Sequence, residues 1–527
     1  MNFSTLDYIV FLGYGCLIVG VGLFVSREKK GHKKDSKDYF LAGKSLTWWA
    51  VGASLIASNI SAEQFIGMSG SGYAIGLAIA SYEWMGAVTL LVIAKFFLPV
   101  YLKEGIYTMP QFLEHRYDGR VKTIMAIFWL FVYIFINLTS VLYLGALAMK
   151  TIMGVEMSTG IIGLAIFAGV YSIYGGLKAV AWTDVIQVIF LVAGGLMTTF
   201  LALDALGAGE GIISGFQTLL KEVPEKFTMI IQRGELILPD GRDAYMDLPG
   251  ISVLIGGMWI ANLYYWGFNQ YIIQRALAAK SLNEAQKGIV FAGFLKLIIP
   301  VIVVIPGIVA FALHADISKS DEAYPWLLNQ FVGPGFKGLA FAALIAAVVS
   351  SLASMINSTA TIFTMDIYKY YINKNATESQ LVKTGRIVAV AALLIAALIA
   401  PQLGTLDQVF QYIQEFTGFV SPGIAAIFIF GFFWKKTTAN AAIGTAIISL
   451  IMSFAVKTLW PGIPFLDRMG LVFLISSGLL VVISLLDKNP VGKGIELSKE
   501  SFKTQTTFNF MSIVLLLIIA VLYALFW

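Results

Sequence analysis

Apolar runs of about 20 residues, each long enough to cross a hydrocarbon core, recur along this chain from residue 6 to residue 527. Water cannot be the solvent for so many of them. In lipid every backbone N–H and C=O must find its partner inside the protein, which leaves helices or a closed barrel as spanning elements. Runs this long and continuously apolar fit helices, because barrel strands alternate apolar and polar positions over about ten residues. Fourteen spans are expected, at about 6–26, 47–73, 76–102, 122–149, 158–178, 181–205, 250–273, 288–313, 337–367, 385–402, 406–434, 438–459, 469–486 and 507–527. The fold class is an all-α polytopic membrane protein. Composition agrees: 13% of the residues are charged, against roughly a quarter in an ordinary soluble domain.

The connection after the first span carries Arg27, Lys29, Lys30, Lys33, Lys34, Lys37 and Lys44, and positive residues in short loops mark the cytoplasmic side. Alternate loops agree, through Arg116, Arg120 and Lys122, then Arg275, Lys280 and Lys287, then Lys435 and Lys436. Both termini are therefore expected outside, in a bacterial inner membrane. The net charge of +5 sets orientation and implies no nucleic-acid partner. The single cysteine, Cys16, excludes a disulfide framework or a thiolate metal cluster. Three histidines, His32, His115 and His314, fall in loops or at span ends and leave no histidine metal site or Ser/His/Asp triad. Enzyme chemistry has little to work with. The N-terminus lacks the basic region and cleavage site of a signal peptide, so the first span is expected to be retained.

Two spans read poorly as simple membrane helices. The second contains Ser58, Asn59, Ser61, Glu63 and Gln64 followed by Gly67, Gly70 and Gly72; the seventh contains Gly256, Gly257, Asn262, Gly267, Asn269 and Gln270. Irregular backbone at membrane depth survives only where it lines a cavity or is buried in protein. The two lie five spans apart with opposite expected directions, as when two five-span repeats of inverted topology each begin with a discontinuous helix. The expected organisation is a first span with its basic loop at 1–46, one repeat at 47–205, an outside connection at 206–249 folded as a small cap, a second repeat at 250–434 and three further spans at 435–527.

Glu83 in the third span and Lys296 in the eighth are charges that insertion into a bilayer penalises by roughly 2.5 kcal/mol or more. Each needs a partner or a wet cavity, and a purely structural ion pair would also explain them. Gln64, Asn262 and Gln414 add carboxamides that donate and accept together, which suits a polyol and equally suits hydrogen bonding between helices. Tyr82, Tyr264, Tyr265 and Trp266 supply rings for the apolar faces of a sugar. In the ninth span Ala347, Ser350 and Ser351 share a face that could meet carbonyls freed by a break at Ala57 to Ile60, and hard cations take oxygen ligands. Ser351, Ser354 and Ser358 also read as a small-residue packing stripe, and spacing alone favours that reading.

At these residues the chain resembles the sodium/solute symporter family, and within it the sugar symporters of the sodium/galactose kind. The likeness runs through DYFLAGKSLTWWAVGASLIASNISAEQFIGMSGSGY, YSIYGGLKAVAWTDVIQV, ANLYYWGFNQYIIQRALAAKS, VVSSLASMINSTATIFTMDIY and FQYIQEFTGFVSPG, spread over nearly the whole chain. The resemblance implies a LeuT-type 5+5 inverted-repeat core with discontinuous second and seventh spans, and sodium-coupled uptake of a sugar, galactose or a related hexose, without any cofactor. It places sugar contacts on Gln64, Tyr82, Glu83, Asn262, Lys296 and Gln414, with Tyr265 covering the sugar from the cytoplasmic side. Met68 and Phe410 match the apolar lid toward the outside. The implied sodium ligands are the carbonyls of Ala57, Ile60 and Ala347 and the hydroxyls of Ser350 and Ser351, against the packing reading of that face. Asp184 matches a residue tied to sodium exit or a second cation site. One departure is Gly86, which stands where the sugar symporters have a serine. Rival readings are a sodium symporter for inositol, sialic acid or an amino acid, a membrane enzyme, and a transporter-like sensor.

Overall fold

The computed structural model describes residues 3–27, 34–61, 63–238, 241–405, 409–488 and 494–527. Among them there are helices, turns and two isolated β-bridges, and no strand. The helices that matter below are α1 (Thr5–Val25), α2 (Trp48–Asn59), α3 (Ser69–Ala74), α4 (Leu77–Glu104), α5 (Gly119–Lys150), α6 (Met157–Gly175), α7 (Leu177–Leu206), α8 (Gly257–Leu263), α9 (Gln270–Leu277), α10 (Leu282–Ala312), α11 (Phe336–Ile372), α12 (Glu378–Leu403), α13 (Val409–Phe433), α14 (Ala439–Leu459), α15 (Phe465–Leu486) and α16 (Thr506–Leu525).

Eleven helices among the described residues are long and apolar enough to cross a membrane. The three expected spans missing from that number are 47–73, 250–273 and 406–434. The first two are interrupted. Helix α2 ends at Asn59, Ile60 is extended (φ −79°, ψ 115°), and helical structure resumes with a π-helical turn at Glu63–Met68 leading into α3. In the seventh, α8 passes into a π-helical turn at Tyr264–Phe268, Asn269 is extended (φ −91°, ψ 122°), and α9 follows. The third, α13, is helical from Val409, but side chains are described only from Thr417 onward.

Close packing fixes the broken helix against a continuous one. A Cβ at Gly72 of α3 would lie 2.5 Å from the Val304 carbonyl of α10, and one at Gly307 of α10 would lie 1.9 Å from the Ser69 carbonyl. Only glycine permits that mutual approach. Where α1 begins, the Asp7 carboxylate completes a capping box with Ser4 and also accepts from the Gly335 and Gly338 N–H groups at 2.7 Å each. One acid thus caps α1 and the start of α11, where orphan N–H groups favour negative charge. The connection 206–249 folds over the end of α3, where Lys226 donates to the Ala74 carbonyl at 2.7 Å.

Arg116 is fully buried and serves α13. Its guanidinium donates to the carbonyl of Gly431 (2.6 Å) in the last turn of that helix and to those of Trp434 (3.0 Å), Thr437 (3.2 Å) and Lys435 (3.3 Å) in the connection that follows. The last carbonyls of a helix have no partner within it. Arg116→Ala would strand several of them, at about 1–3 kcal/mol for each buried group left unsatisfied. The expected result is loss of monodisperse protein on size-exclusion chromatography, with Arg116→Lys intermediate, because one ammonium cannot reproduce the planar fork.

Candidate functional site

The two interruptions face one cavity of about 120 Å³ between α2, α4, α8 and α10. Its floor is a buried ion pair. Lys296 stands near the midpoint of the 31-residue α10, and its Nζ donates to Glu83 Oε2 at 2.5 Å and to Asn59 Oδ1 at 2.9 Å. The ammonium also lies 4.6 Å from the Trp266 ring, a cation–π contact strengthened by exclusion of water. Pro300, one turn on, has no N–H to give the Lys296 carbonyl. Asn59 is the last residue of α2, so the unwinding after it aims the carboxamide into the cavity, where its Nδ2 donates to the Tyr265 hydroxyl at 3.1 Å. Tyr271 donates to the same hydroxyl at 2.7 Å.

Asn262 is held by its own helix turn and by Trp266: Nδ2 donates to the Met258 carbonyl at 3.1 Å, and Oδ1 accepts the indole N–H at 3.2 Å. Gln64 folds back on the break, its Oε1 accepting from the Ser61 N–H and hydroxyl at 3.0 and 3.1 Å. Met68 lines the same cavity. Tyr82 and Ile79 form a shared wall between it and a vestibule of about 260 Å³ bordered by Arg242, Asp247 and Leu248 of the 206–249 connection. Asp321 also borders that vestibule, and burial pushes its carboxyl up to about 6.

A second polar centre lies behind the break. Asp184 of α7 accepts from Ser350 of α11 at 2.6 Å and from Ser54 of α2 at 2.5 Å. Arg275 donates to Ser54 at 3.3 Å and also to Ser354. Ser354 gives its own proton to the Ser350 carbonyl at 2.7 Å, so at the 2.8 Å contact with Ser58 it is Ser58 that donates. Ser351 shares its single proton between the Ser58 carbonyl (3.1 Å) and the Ile60 carbonyl (3.4 Å). Ala57 and Ala347 are buried on α2 and α11. The face of α11 carrying Ser350, Ser351 and Ser354 is thus a hydrogen-bonded seam against the broken helix. Small size alone does not explain it.

Of the residues expected from sequence, Gln64, Met68, Tyr82, Glu83, Asn262, Tyr265, Lys296 and Ser351 border the one cavity. Ile60 meets Ser351 through its carbonyl, while Ser350, the preceding residue of α11, meets Asp184. Gln414 and Phe410 have side chains outside the described residues. Sequence reasoning passed over Ser54 and Arg275, and counted Asn59 only among the polar residues of the interruption. Arg275 was counted among loop cations, although it is fully buried; the signal available was Asp184, an acid in an apolar span that needs a cation near it.

Two interrupted helices converging on a buried ion pair, carboxamides and rings, with freed carbonyls beside them, define a membrane transporter for a small polar solute. Residues 39–449 match the sodium:solute symporter family. The chain is 55% identical to a sodium/glucose cotransporter of Vibrio parahaemolyticus over 99% of its length and 98% of that protein's. It is 35% identical to sodium/myo-inositol cotransporter 2 of Mus musculus, over 85% of its own length and 69% of the relative's. A solved Na⁺-coupled sialic acid symporter in a substrate-bound outward-open state shares the fold with a TM-score of 0.81 at 22% identity, covering 94% of this chain and all of that one. The chain belongs to the sodium:solute symporter family: it is a multi-pass membrane transporter whose coupling ion is sodium, and not an enzyme.

Proposed function

We propose that this symporter takes up a hexose, galactose or a relative of it, across a bacterial inner membrane with both termini outside. The observation that carries the reading is the Glu83–Lys296–Asn59 cluster facing Asn262 and Trp266, an array of donors, acceptors and a ring that matches a polyol better than a charged solute. Gln64, Tyr82, Glu83, Asn262, Lys296 and Gln414 contact the sugar, Tyr265 covers it on the cytoplasmic side, and Met68 and Phe410 cover it on the outside. Sodium binds the carbonyls of Ala57, Ile60 and Ala347 and the hydroxyls of Ser350 and Ser351, with Asp184 on its way out. The core is a 5+5 inverted repeat at 47–205 and 250–434. Sodium orders the break after α2, sugar binds beside it, and rocking of the core exposes both to the cytoplasm. One inward charge contributes about 2.3 kcal/mol per 100 mV and a tenfold sodium gradient about 1.4, enough at one-to-one coupling for roughly 500-fold accumulation. Radiolabelled hexose uptake into proteoliposomes with and without a sodium gradient tests the reading. Sodium-driven uptake of inositol, sialic acid or an amino acid in place of hexose would replace it.

Gly86 tests selectivity. A Cβ there would lie 3.1 Å from Trp266 Nε1, 3.2 Å from Asn262 Oδ1 and 3.4 Å from Lys296 Cε. A serine must push these groups back by a few tenths of an ångström and compete with the indole for Asn262. Gly86→Ser is expected to change the ratio of galactose to glucose affinity by about 5-fold, roughly 1 kcal/mol. An unchanged ratio in competition uptake would make the position irrelevant to sugar choice.

A further inference from the structure

An apolar groove of about 600 Å³ runs along the outer face of the bundle between α6 and α12. Ile162, Ile166 and Val170 of α6 face Val390, Leu394 and Ala397 of α12 across it. From Ile162 to Tyr174 the groove covers 13 residues of helix, about 18 Å from first to last at 1.5 Å per residue. That slightly exceeds the hydrocarbon depth of one leaflet, about 15 Å. Gly169 keeps the groove deep where α6 meets Leu393.

One end of the groove is cationic. Arg386 lines it, donates to the Tyr174 carbonyl at 3.2 Å, and lies 5.5 Å from the Tyr174 ring. Lys34, from the basic connection after α1, lies 5.7 Å from the same ring and reaches the Gly175 carbonyl at 3.4 Å. Arg386 has no carboxylate partner among the described residues. Glu378, two turns nearer the start of α12, is engaged by the Ser36 N–H at 2.8 Å. A guanidinium and an ammonium beside a tyrosine, on the side of the basic loop, sit where an anionic headgroup of the cytoplasmic leaflet lies.

We propose that this groove binds one anionic glycerophospholipid, with an acyl chain along α6 and α12 and its phosphate against Arg386 and Lys34. Charge complementarity and the one-leaflet length select this occupant over a partner helix, which would cross both leaflets. Ser172 of α6 donates to the Ala353 carbonyl of α11 at 3.2 Å, two residues beyond Ser351, so the helix that forms the groove also packs on the transport core.

The test is native mass spectrometry of the purified full-length protein, titrated with phosphatidylglycerol or phosphatidylcholine of matched acyl chains. Wild type should retain one phosphatidylglycerol with at least fivefold preference. Arg386→Gln combined with Lys34→Gln should reduce that preference to near unity and leave the zwitterionic lipid unaffected. Gly169→Leu fills the groove without changing charge and should lower retention of both lipids; its Cβ meets only the flexible ends of Leu393 and Ile173, at 3.2 and 3.3 Å. Equal retention of the two lipids by wild type, or undiminished preference in the double variant, would overturn the proposal and leave the two cations as caps for the C-terminus of α6.

Discussion

Lys296→Met and Glu83→Met are each expected to abolish sodium-dependent sugar uptake and to lower thermal stability, whereas the double variant regains stability without regaining transport. Each single change leaves one charge buried without its 2.5 Å partner, a situation that costs about 3–5 kcal/mol. Replacing both partners by apolar groups of similar volume removes the uncompensated charge, and such replacements are often neutral. Stability and transport then part company. If the pair only ties α4 to α10, uptake should return with stability in the double variant; if it also holds solute hydroxyls, uptake should stay at least 100-fold down. Melting temperatures in detergent and uptake by the same preparations in proteoliposomes read the two properties separately. Recovery of uptake in the double variant would remove Glu83 and Lys296 from the sugar site.

Ser351→Ala is expected to raise the sodium concentration for half-maximal uptake by roughly 5- to 150-fold, the equivalent of about 1–3 kcal/mol for one lost oxygen partner. Its hydroxyl sits within 3.4 Å of the carbonyls released by the break, so alanine preserves size and deletes only the polar contact. Ser350→Ala should act in the same direction, with the added effect of removing a donor from Asp184. Ser354 is unsuitable as a packing control because it bonds Arg275, Ser58 and the Ser350 carbonyl. Thr359→Val serves instead, since among the described residues that hydroxyl returns to the Met355 carbonyl of its own helix and meets no other partner. Linkage demands reciprocity: a loss of sodium affinity must appear as weaker sodium-dependent enhancement of sugar binding. Unchanged sodium dependence in both serine variants, measured by sodium-titrated uptake, would return the seam to a packing role.

Residues with no cheap alternative were the legible part of this protein. Glu83 and Lys296 stand out because an apolar span punishes a lone charge, and the structure pairs them. The interruptions at 60 and 269 were visible as clusters of glycine and amide residues inside otherwise apolar runs, although composition could not say which peptide unit unwinds. Ser54, Arg275 and the partners of Asn59 were not legible. A serine or asparagine within a helix is unremarkable alone, and an arginine near a span end counts as a loop cation until the chain is seen to fold it inward. Their importance lies in contacts between residues 79 to 237 positions apart in sequence, which no local pattern encodes.

The contact between Glu83 and Lys296 joins residues 213 positions apart, and this separation bears on how the protein is made. At about 5–20 residues per second, the ribosome delivers the lysine roughly 10–40 s after the glutamate. Through that interval α4 must enter and stay in the bilayer with its carboxyl group unmatched, carrying an insertion penalty of roughly 2.5 kcal/mol or more, against which the rest of this long apolar helix must prevail. Truncated nascent chains ending before α10 should therefore hold α4 less firmly than chains ending after it. Biogenesis of this symporter is in this sense a timed event, completed when the second charge arrives.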